Sequence, residues 1–194
     1  MIAGVDEAGV GSLMSIMVAG AVILPENYDK SDLCDSKKST DKKRKTVSEK
    51  LLQEADVGIG IVTEQEIDSL GLAKCRRIVF HRALDNLKTK NIGKIIVDGT
   101  LFEKYKDIDY ECIPKADATV PEVSAASIVA KHYRDTFIIE LCENNKTASE
   151  FYGWKSNKGY PSKKHRDAIQ SRGVSKFHRK SYAPCKNMPL AQFE

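Results

Sequence analysis

The residues best suited to chemistry lie at the start of the chain, in residues 2–11 (IAGVDEAGVG). There a short apolar run leads two adjacent carboxylates, Asp6 and Glu7, into a turn with glycines at 9 and 11. Neighbouring acids repel one another and lose solvation at a strand end, which favours a bound cation. Carboxylate oxygens suit Mg²⁺ or Mn²⁺, and glycines let the backbone approach a ligand closely. Taken alone, the pattern indicates either a metal site or a solvated turn.

Two more acids occupy comparable positions later in the chain. Asp98 follows the apolar run 94–97 and precedes a glycine, and Asp117 lies just before a helix start at 119–122 (TVPE). Hydrolysis of a phosphodiester by two metal ions about 3.5–4 Å apart needs three or four converging carboxylates. We therefore expect Asp6, Glu7, Asp98 and Asp117 to meet at one edge of a sheet.

The elements that must position these acids follow from hydrophobic periodicity. Helices are expected over 71–88, from about 119 to 142, and over the two further ranges 40–54 and 162–171. Strands are expected over 2–6, 15–24, 57–63, 94–98 and 109–114. This order indicates a mixed sheet flanked by helices, with the first strand in its centre. If strand 94–98 pairs with it in parallel, Asp6 and Asp98 share one edge.

Charge is unevenly distributed along the chain. Residues 151–194 carry ten Lys and Arg against two acids, a net charge of +8, and residues 36–50 carry +5, while the first 150 residues together sum to −4. Such basic segments are either solvated helix faces or tracks for a polyanion such as nucleic acid. We expect a catalytic domain over 1–150 and a basic C-terminal segment over 151–194.

The cysteine pattern indicates a reducing compartment, and the hydropathy argues against a membrane span. The five cysteines are odd in number, scattered, and never spaced C-x-x-C, which argues against a disulfide framework and a structural zinc. No apolar run approaches the roughly 20 residues that a membrane span requires, and no signal segment opens the sequence. We expect a cytoplasmic protein without membrane contact.

Six ordered motifs resemble those of the ribonuclease HII family, and they span nearly the whole chain. They are IAGVDEAGVG at 2–11, DSKK at 35–38, IVDG at 96–99, KAD at 115–117 with VSAASIVAKHYRD at 123–135, GYP at 159–161, and FHRKSYAP at 177–184. The last motif is closest to bacterial members.

The resemblance implies an RNase H-like fold, a mixed five-stranded sheet flanked by helices with a basic helical C-terminal segment. It also implies an endonuclease, dependent on Mn²⁺ or Mg²⁺, that cuts the RNA strand of RNA–DNA hybrids or at ribonucleotides embedded in a DNA duplex. The implied metal ligands and catalytic residues are Asp6, Glu7, Asp98 and Asp117. Tyr160 would stack near the sugar and, with the glycine turn, sense the ribose 2′-hydroxyl. The expected substrate-binding residues are Gly9, Val10, Gly11, Lys37, Lys38, Ser127, Lys131, Tyr160, His178 and Arg179.

The chain departs from the family pattern in the glycine turn. The family motif reads DEAGRGxxxGP, whereas Val10 stands here in place of the arginine, Ser15 in place of the glycine, and Ile16 in place of the proline. Valine makes no charged contact to phosphate. The departure leaves open a nucleic-acid-binding relative with weak or lost turnover, although the four acids favour an enzyme.

Other interpretations fit the sequence less well. A dinucleotide-binding turn would need a third glycine and a following helix. Another RNase H-like nuclease would share the acids but not the KAD and AASIVAK motifs. Leu190 and Phe193 lack the leading glutamine of a sliding-clamp peptide, so we do not expect a clamp contact. We expect the protein to be a monomer.

Overall fold

The structure is a computed structural model that describes residues 1–33 and 40–193. Its strands are β1 (Ile2–Ala8), β2 (Met17–Ile23), β3 (Asp56–Val62), β4 (Lys94–Asp98) and β5 (Asp109–Ile113). Its α-helices are α1 (Asp41–Glu54), α2 (Glu64–Leu70), α3 (Leu72–Asp85), α4 (Pro121–Asn144), α5 (Lys146–Tyr152), α6 (Trp154–Asn157) and α7 (Lys163–Arg172). Short 3₁₀ turns cover Lys30–Asp32 and Ala116–Ala118.

The strands described form one mixed sheet in the order β3-β2-β1-β4-β5. β1 lies at its centre, antiparallel to β2 and parallel to β4, and β4 is parallel to β5. Three of the core residues of β1 and β4, Val5, Ile95 and Val97, are fully buried. The expected fold class and the central place of the first strand are confirmed.

One face of the sheet is covered by α4 at close range. Gly4 pairs with Val22 and Asp6 with Gly20, so Gly4, Asp6 and Gly20 point to the same face. A Cβ atom on Gly4 would overlap the backbone of Val123, and one on Gly20 would overlap the backbone of Ala126. The missing side chains therefore allow the first half of α4 to approach the strands.

The opposite face carries α3. Glu7 alternates with Asp6 along β1 and therefore points away from α4. The Arg76 guanidinium of α3 contacts the Glu7 carboxylate. Further along α3, a Cβ atom on Gly60 would overlap the carbonyl of Val79, so this helix too approaches the sheet across glycine.

The chain divides into two compact units, and each of them combines several separate segments of the chain rather than lying on one side of residue 150. One contains residues 1–8, 18–61 and 76–133, and the other contains 9–17, 62–75 and 134–194. The glycine turn groups with the C-terminal segment because backbone hydrogen bonds join them: Ser15 N–H donates to the Phe177 carbonyl at 2.8 Å, and Arg179 N–H to the Leu13 carbonyl at 2.8 Å.

The second unit has its own core, built on aromatic rings. Tyr152 stacks on Trp154 with ring centroids 5.1 Å apart, and both rings lie close to the buried His178. Phe177 and Phe193 pack against the same cluster.

Within this core, two buried histidines are linked to each other and to neighbouring residues by a chain of hydrogen bonds. His178 Nδ1 accepts from the Ser175 N–H at 2.9 Å, so its proton lies on Nε2, which faces His165 Nε2 at 3.0 Å. Trp154 Nε1 also donates to His165 Nε2, at 3.2 Å. His165 Nδ1 therefore carries a proton and donates to the Tyr160 carbonyl at 3.0 Å. These assignments follow from the fixed donors. A second proton on either ring would face a donor.

The expected elements are all present, and three further helices are added to them. The helix expected over 71–88 is preceded by a separate helix, α2, which begins with a capping box between Thr63 and Glu66 and ends at Gly71, where φ is 82°. α5 and α6 are short, lie in the basic segment and were not expected. Among the described residues, no helix is long and apolar enough to cross a membrane.

The histidine chain predicts loss of stability in acid. Burial lowers the pKa of His178 to about 3, with a further contribution from His165, and burial also lowers the pKa of His165. The unfolded chain, with a histidine pKa near 6.5, binds protons more tightly, so this stability is complete above pH 6.5 and is lost as the pH falls toward 3. Each histidine contributes at most about 1.4 kcal/mol per pH unit.

We expect His178→Asn, which retains an acceptor for the Ser175 N–H, to be less stable than wild type at pH 7 and to approach it near pH 4. Urea unfolding of both proteins at pH 7, 6, 5 and 4 measures this convergence. A constant difference across the series would contradict it.

Candidate active site

Asp6 is held at the end of β1 by neighbours on both sides. Its Oδ1 accepts from the Glu7 N–H at 2.7 Å, and the Ser127 side chain of α4 forms a hydrogen bond with its carboxylate. Asp6 is 6% exposed. The close approach of α4 over Gly4 and Gly20 thus places a hydroxyl against the first acid.

Asp98 lies beside Asp6 at the same edge of the sheet. Val5 pairs with Val97 in the parallel ladder, so the next residues of the two strands are Asp6 and Asp98. Asp98 Oδ1 is buried and has no hydrogen-bond partner. A buried acceptor without a partner is costly and suits a cation.

Asp117 lies in the 3₁₀ turn Ala116–Ala118, which precedes α4 and contacts β4. It is 6% exposed. The turn begins after Lys115, whose backbone is left-handed with φ 62°. The loop after β5 thus returns the last acid to the element that carries Asp98.

The acids influence one another electrostatically. Burial, together with the charges of Glu7 and Asp98, raises the pKa of Asp6 to about 7 against the hydrogen bond from Ser127. Burial also raises the pKa of Glu7, although Arg76 opposes the shift. Carboxylates with raised pKa values gain most from a cation that neutralises them.

These observations fit a divalent metal ion with oxygen ligands. The donor set consists of carboxylates, one of them with an unpartnered buried oxygen. Among residues 1–33 and 40–193, the side chains as they stand do not place three or more Asp, Glu, His or Cys so that they could hold a metal ion. The convergence of all four acids therefore stays a prediction.

Glu7 has a partner that the sequence analysis missed. Arg76 Nη2 donates to Glu7 Oε1 at 2.5 Å, and the Glu7 side chain is 9% exposed. The available signal was the place of Arg76 next to Cys75 and three residues before Val79, on the border of the apolar face of α3.

In the second unit, the buried side chain of Arg179 holds the glycine turn by hydrogen bonds to its backbone. Its guanidinium is fully buried and donates to the carbonyls of Gly9, Val10, Ser15 and Ile16 at 2.7–3.1 Å. The Tyr182 hydroxyl donates to the Val10 carbonyl at 2.6 Å. Arg179 therefore supports the turn from inside in this structure rather than presenting its charge at the surface.

Two residues of the glycine turn have a left-handed backbone. Ser15 has a φ of 65°, the left-handed region that favours glycine, and its buried hydroxyl has no hydrogen-bond partner. Gly9 has a φ of 91°, and a Cβ atom there would overlap the Arg134 side chain. The side chain of Val10 is half-buried.

Tyr160 is connected to the same turn through Arg134. The Arg134 guanidinium lies 5.0 Å from the centre of the Tyr160 ring and donates to Ser12 Oγ and the Lys158 carbonyl, both at 2.8 Å. The Tyr160 side chain is 38% exposed. One buried arginine thus fixes an exposed aromatic ring and the turn together, a role that the sequence analysis did not assign.

The remaining expected substrate-binding residues differ in accessibility. Lys131 is exposed, one helical turn after Ser127 on α4, and Gly11 is exposed in its turn, whereas His178 is buried in the histidine chain. Lys37 and Lys38 lie outside the described residues. The structure leaves the roles of all of these residues as predictions.

Comparison with known proteins gives consistent matches over most of the chain. The family model described as Ribonuclease HII matches residues 3–185. A curated protein of Parabacteroides distasonis named Ribonuclease HII is 40% identical over 183 residues, which cover 93% of this chain and 88% of that protein.

Solved structures show the same fold. The crystal structure of ribonuclease H2 from Pyrococcus horikoshii OT3 matches with a TM-score of 0.78 and 27% identity over 95% of this chain and 94% of that one. Bst-RNase HIII in complex with Mn²⁺ matches with a TM-score of 0.71 at 16% identity over 95% of this chain and 67% of that one, which shows the fold alone. From the extent of these matches, together with the acids at the edge of the central strands, the chain belongs to the ribonuclease HII family.

Proposed function

We propose that the chain is an endoribonuclease that hydrolyses the RNA strand of RNA–DNA hybrid duplexes, including single ribonucleotides embedded in DNA. The observation that carries the proposal is the pair of neighbouring acids Asp6 and Asp98 on two parallel strands, with Asp6 buried and one buried Asp98 oxygen unpartnered. Membership in the family supports the substrate class.

In this proposal Asp6, Glu7, Asp98 and Asp117 would hold two divalent ions. The chemistry that such a pair would supply is activation of a water and neutralisation of charge on the phosphate and the leaving oxygen. The Glu7 N–H donates to the Asp6 carboxylate and orients it, and the Ser127 hydroxyl lies close enough to oppose the rise of its pKa. Asp98 offers an oxygen that needs no existing bond to be broken.

Recognition of the ribose belongs to the glycine turn and Tyr160 in this scheme. The backbone of Gly9 and Gly11 would approach the sugar, and the Tyr160 ring would stack near it. Support comes from the rigidity of the parts: Arg179 holds the carbonyls of the turn, and Arg134 holds the Tyr160 ring. Phosphate contacts are assigned to Lys37, Lys38 and Lys131.

The metal is proposed to be Mn²⁺ or Mg²⁺. Carboxylate oxygens suit both ions, and the ribonuclease HIII structure that shares the fold was solved with Mn²⁺.

We further propose a cytoplasmic monomer that binds the duplex without a sliding clamp. Phe193, the aromatic residue that a clamp peptide would need free, packs against Phe151 and Tyr152 at centroid distances of 5.7 and 5.5 Å. The Arg172 guanidinium lies 5.6 Å from its ring. Cys75, Cys112, Cys142 and Cys185 are free thiols, in keeping with a reducing compartment.

The metal site predicts that Asp98→Asn abolishes cleavage, because an amide offers a neutral and weaker ligand in place of a carboxylate. Matched duplexes with one, four or twelve ribonucleotides, each with Mg²⁺ and with Mn²⁺, measure the loss. We expect wild type to cut the strand at ribonucleotides and the variant to fall at least a thousandfold in rate while its circular dichroism spectrum is unchanged.

Asp107→Asn is the matched control, because Asp107 is fully exposed and pairs with Lys104 at 3.6 Å. It should cleave at the wild-type rate. Equal activity of Asp98→Asn and wild type would rule out the proposed ligand set.

The altered glycine turn predicts that Val10→Arg raises kcat/KM on a hybrid duplex. A charge-assisted hydrogen bond contributes about 1.5–3 kcal/mol, equivalent to roughly ten- to a hundredfold. Preference for ribonucleotide over all-DNA duplex should change little, since Gly9, Gly11 and Tyr160 are retained. Steady-state kinetics on both duplexes measure the two quantities.

Ser15→Gly separates charge from backbone strain. It relieves the left-handed φ of Ser15 and removes its unpartnered hydroxyl, so it should raise stability without matching the kinetic gain of Val10→Arg. If Val10→Arg does not raise kcat/KM, either alone or combined with Ser15→Gly, then the conformation of the turn is adapted to valine.

A further inference from the structure

Arg76 is held by a carboxylate of the candidate site. Its Nη2 donates to Glu7 Oε1, and its Nε is buried without a hydrogen-bond partner. Arg179, in contrast, donates through all three guanidinium nitrogens to backbone carbonyls. The charge of Arg76 is therefore directed at one of the proposed metal ligands.

The position of this charge matters for the acids. The Arg76 side chain is 26% exposed and the Glu7 side chain 9%, so solvent screens their attraction only in part. A guanidinium does not lose its proton in proteins. It therefore places a permanent positive charge against a carboxylate that is proposed to bind a divalent cation, and the two cations compete for the same oxygen.

We propose that Arg76 is the resident counter-ion of Glu7 and competes with the incoming divalent metal ion, so that it sets the metal concentration at which Glu7 becomes a ligand. Before metal binds, the ion pair offsets the repulsion between Glu7 and its neighbouring acids. On loading, the guanidinium gives up Glu7 Oε1. The inference rests on the proposed ligand role of Glu7, and Arg76 acts in it as a positioning residue.

The test is direct Mn²⁺ binding without substrate, measured as free Mn²⁺ by electron paramagnetic resonance at fixed pH and ionic strength. Arg76→Gln removes the charge and should bind Mn²⁺ at least fivefold more tightly than wild type. Arg76→Lys keeps the charge and should stay within about twofold of wild type. The half-saturating Mg²⁺ concentration for cleavage should fall in parallel in Arg76→Gln.

Arg77→Gln is the matched control, with the same change of charge one residue away. Arg77 pairs at 3.7 Å with Glu103, and the two side chains are 48% and 60% exposed, so solvent and salt screen it. Its Mn²⁺ affinity should equal that of wild type. If Arg76→Gln does not fold, Arg76→Met, which keeps the apolar stem, takes its place.

Mn²⁺ affinity of Arg76→Gln equal to or weaker than wild type would overturn the inference, because an arginine that merely orients Glu7 would aid metal binding. An equal gain in Arg77→Gln would overturn it as well, since net charge alone would then be responsible. Asp98→Asn identifies a failure at the earlier step: if it binds Mn²⁺ as wild type does, the proposed metal site itself is wrong. If Asp98→Asn loses Mn²⁺ while Arg76→Gln is unchanged, only the competition is refuted.

Discussion

Like charges on the neighbouring strands β1 and β4 are the constraint on which the first unit depends. Asp6 and Asp98 follow directly from the paired residues Val5 and Val97, and Asp6 together with one oxygen of Asp98 is buried. Such a pair is unfavourable unless hydrogen bonds and cations compensate it. The glycines of β1 and β2 let α4 come close enough for Ser127 to reach Asp6, and α3 brings Arg76 to Glu7 on the other face. Both helices thus contribute polar groups to a strand end as well as covering the sheet.

Much of this arrangement could be predicted because it follows from short-range patterns. An acid that directly follows an apolar strand segment must lie near the end of that strand, and parallel pairing of the two strands then places Asp98 next to Asp6. The start of α2 at Thr63 was missed although its capping box is a local signal, since the apolar periodicity after Gly71 dominated the interpretation. The grouping of the glycine turn with residues 134–194 depends on hydrogen bonds between segments about 160 residues apart, such as Ser15 to Phe177, and no local pattern encodes them.

The buried arginines show the same limit more clearly. Arg179 was expected from its motif as a phosphate contact or a support of the site, and each of its guanidinium nitrogens donates to an acceptor in the turn. The sequence shows where a positive charge lies along the chain, but it does not show whether the side chain faces solvent or the protein interior. Arg134 donates hydrogen bonds to Ser12 and Lys158 and lies against the Tyr160 ring, and only folding brings these residues together. Arg76 stood beside the apolar face of a helix, where long polar side chains commonly extend to solvent, and here it meets an acid instead.

The free edge of β5 has a consequence for behaviour at high concentration. β5 is the last strand of the sheet, and its first three residues, Asp109, Tyr110 and Glu111, are exposed. An unpaired strand edge is a template for a second chain. Two copies that met edge to edge would bring Asp109 and Glu111 of one against the same acids of the other. The strand thus carries its own electrostatic protection against self-association, and replacing those two acids with apolar residues would favour sheet extension at this edge.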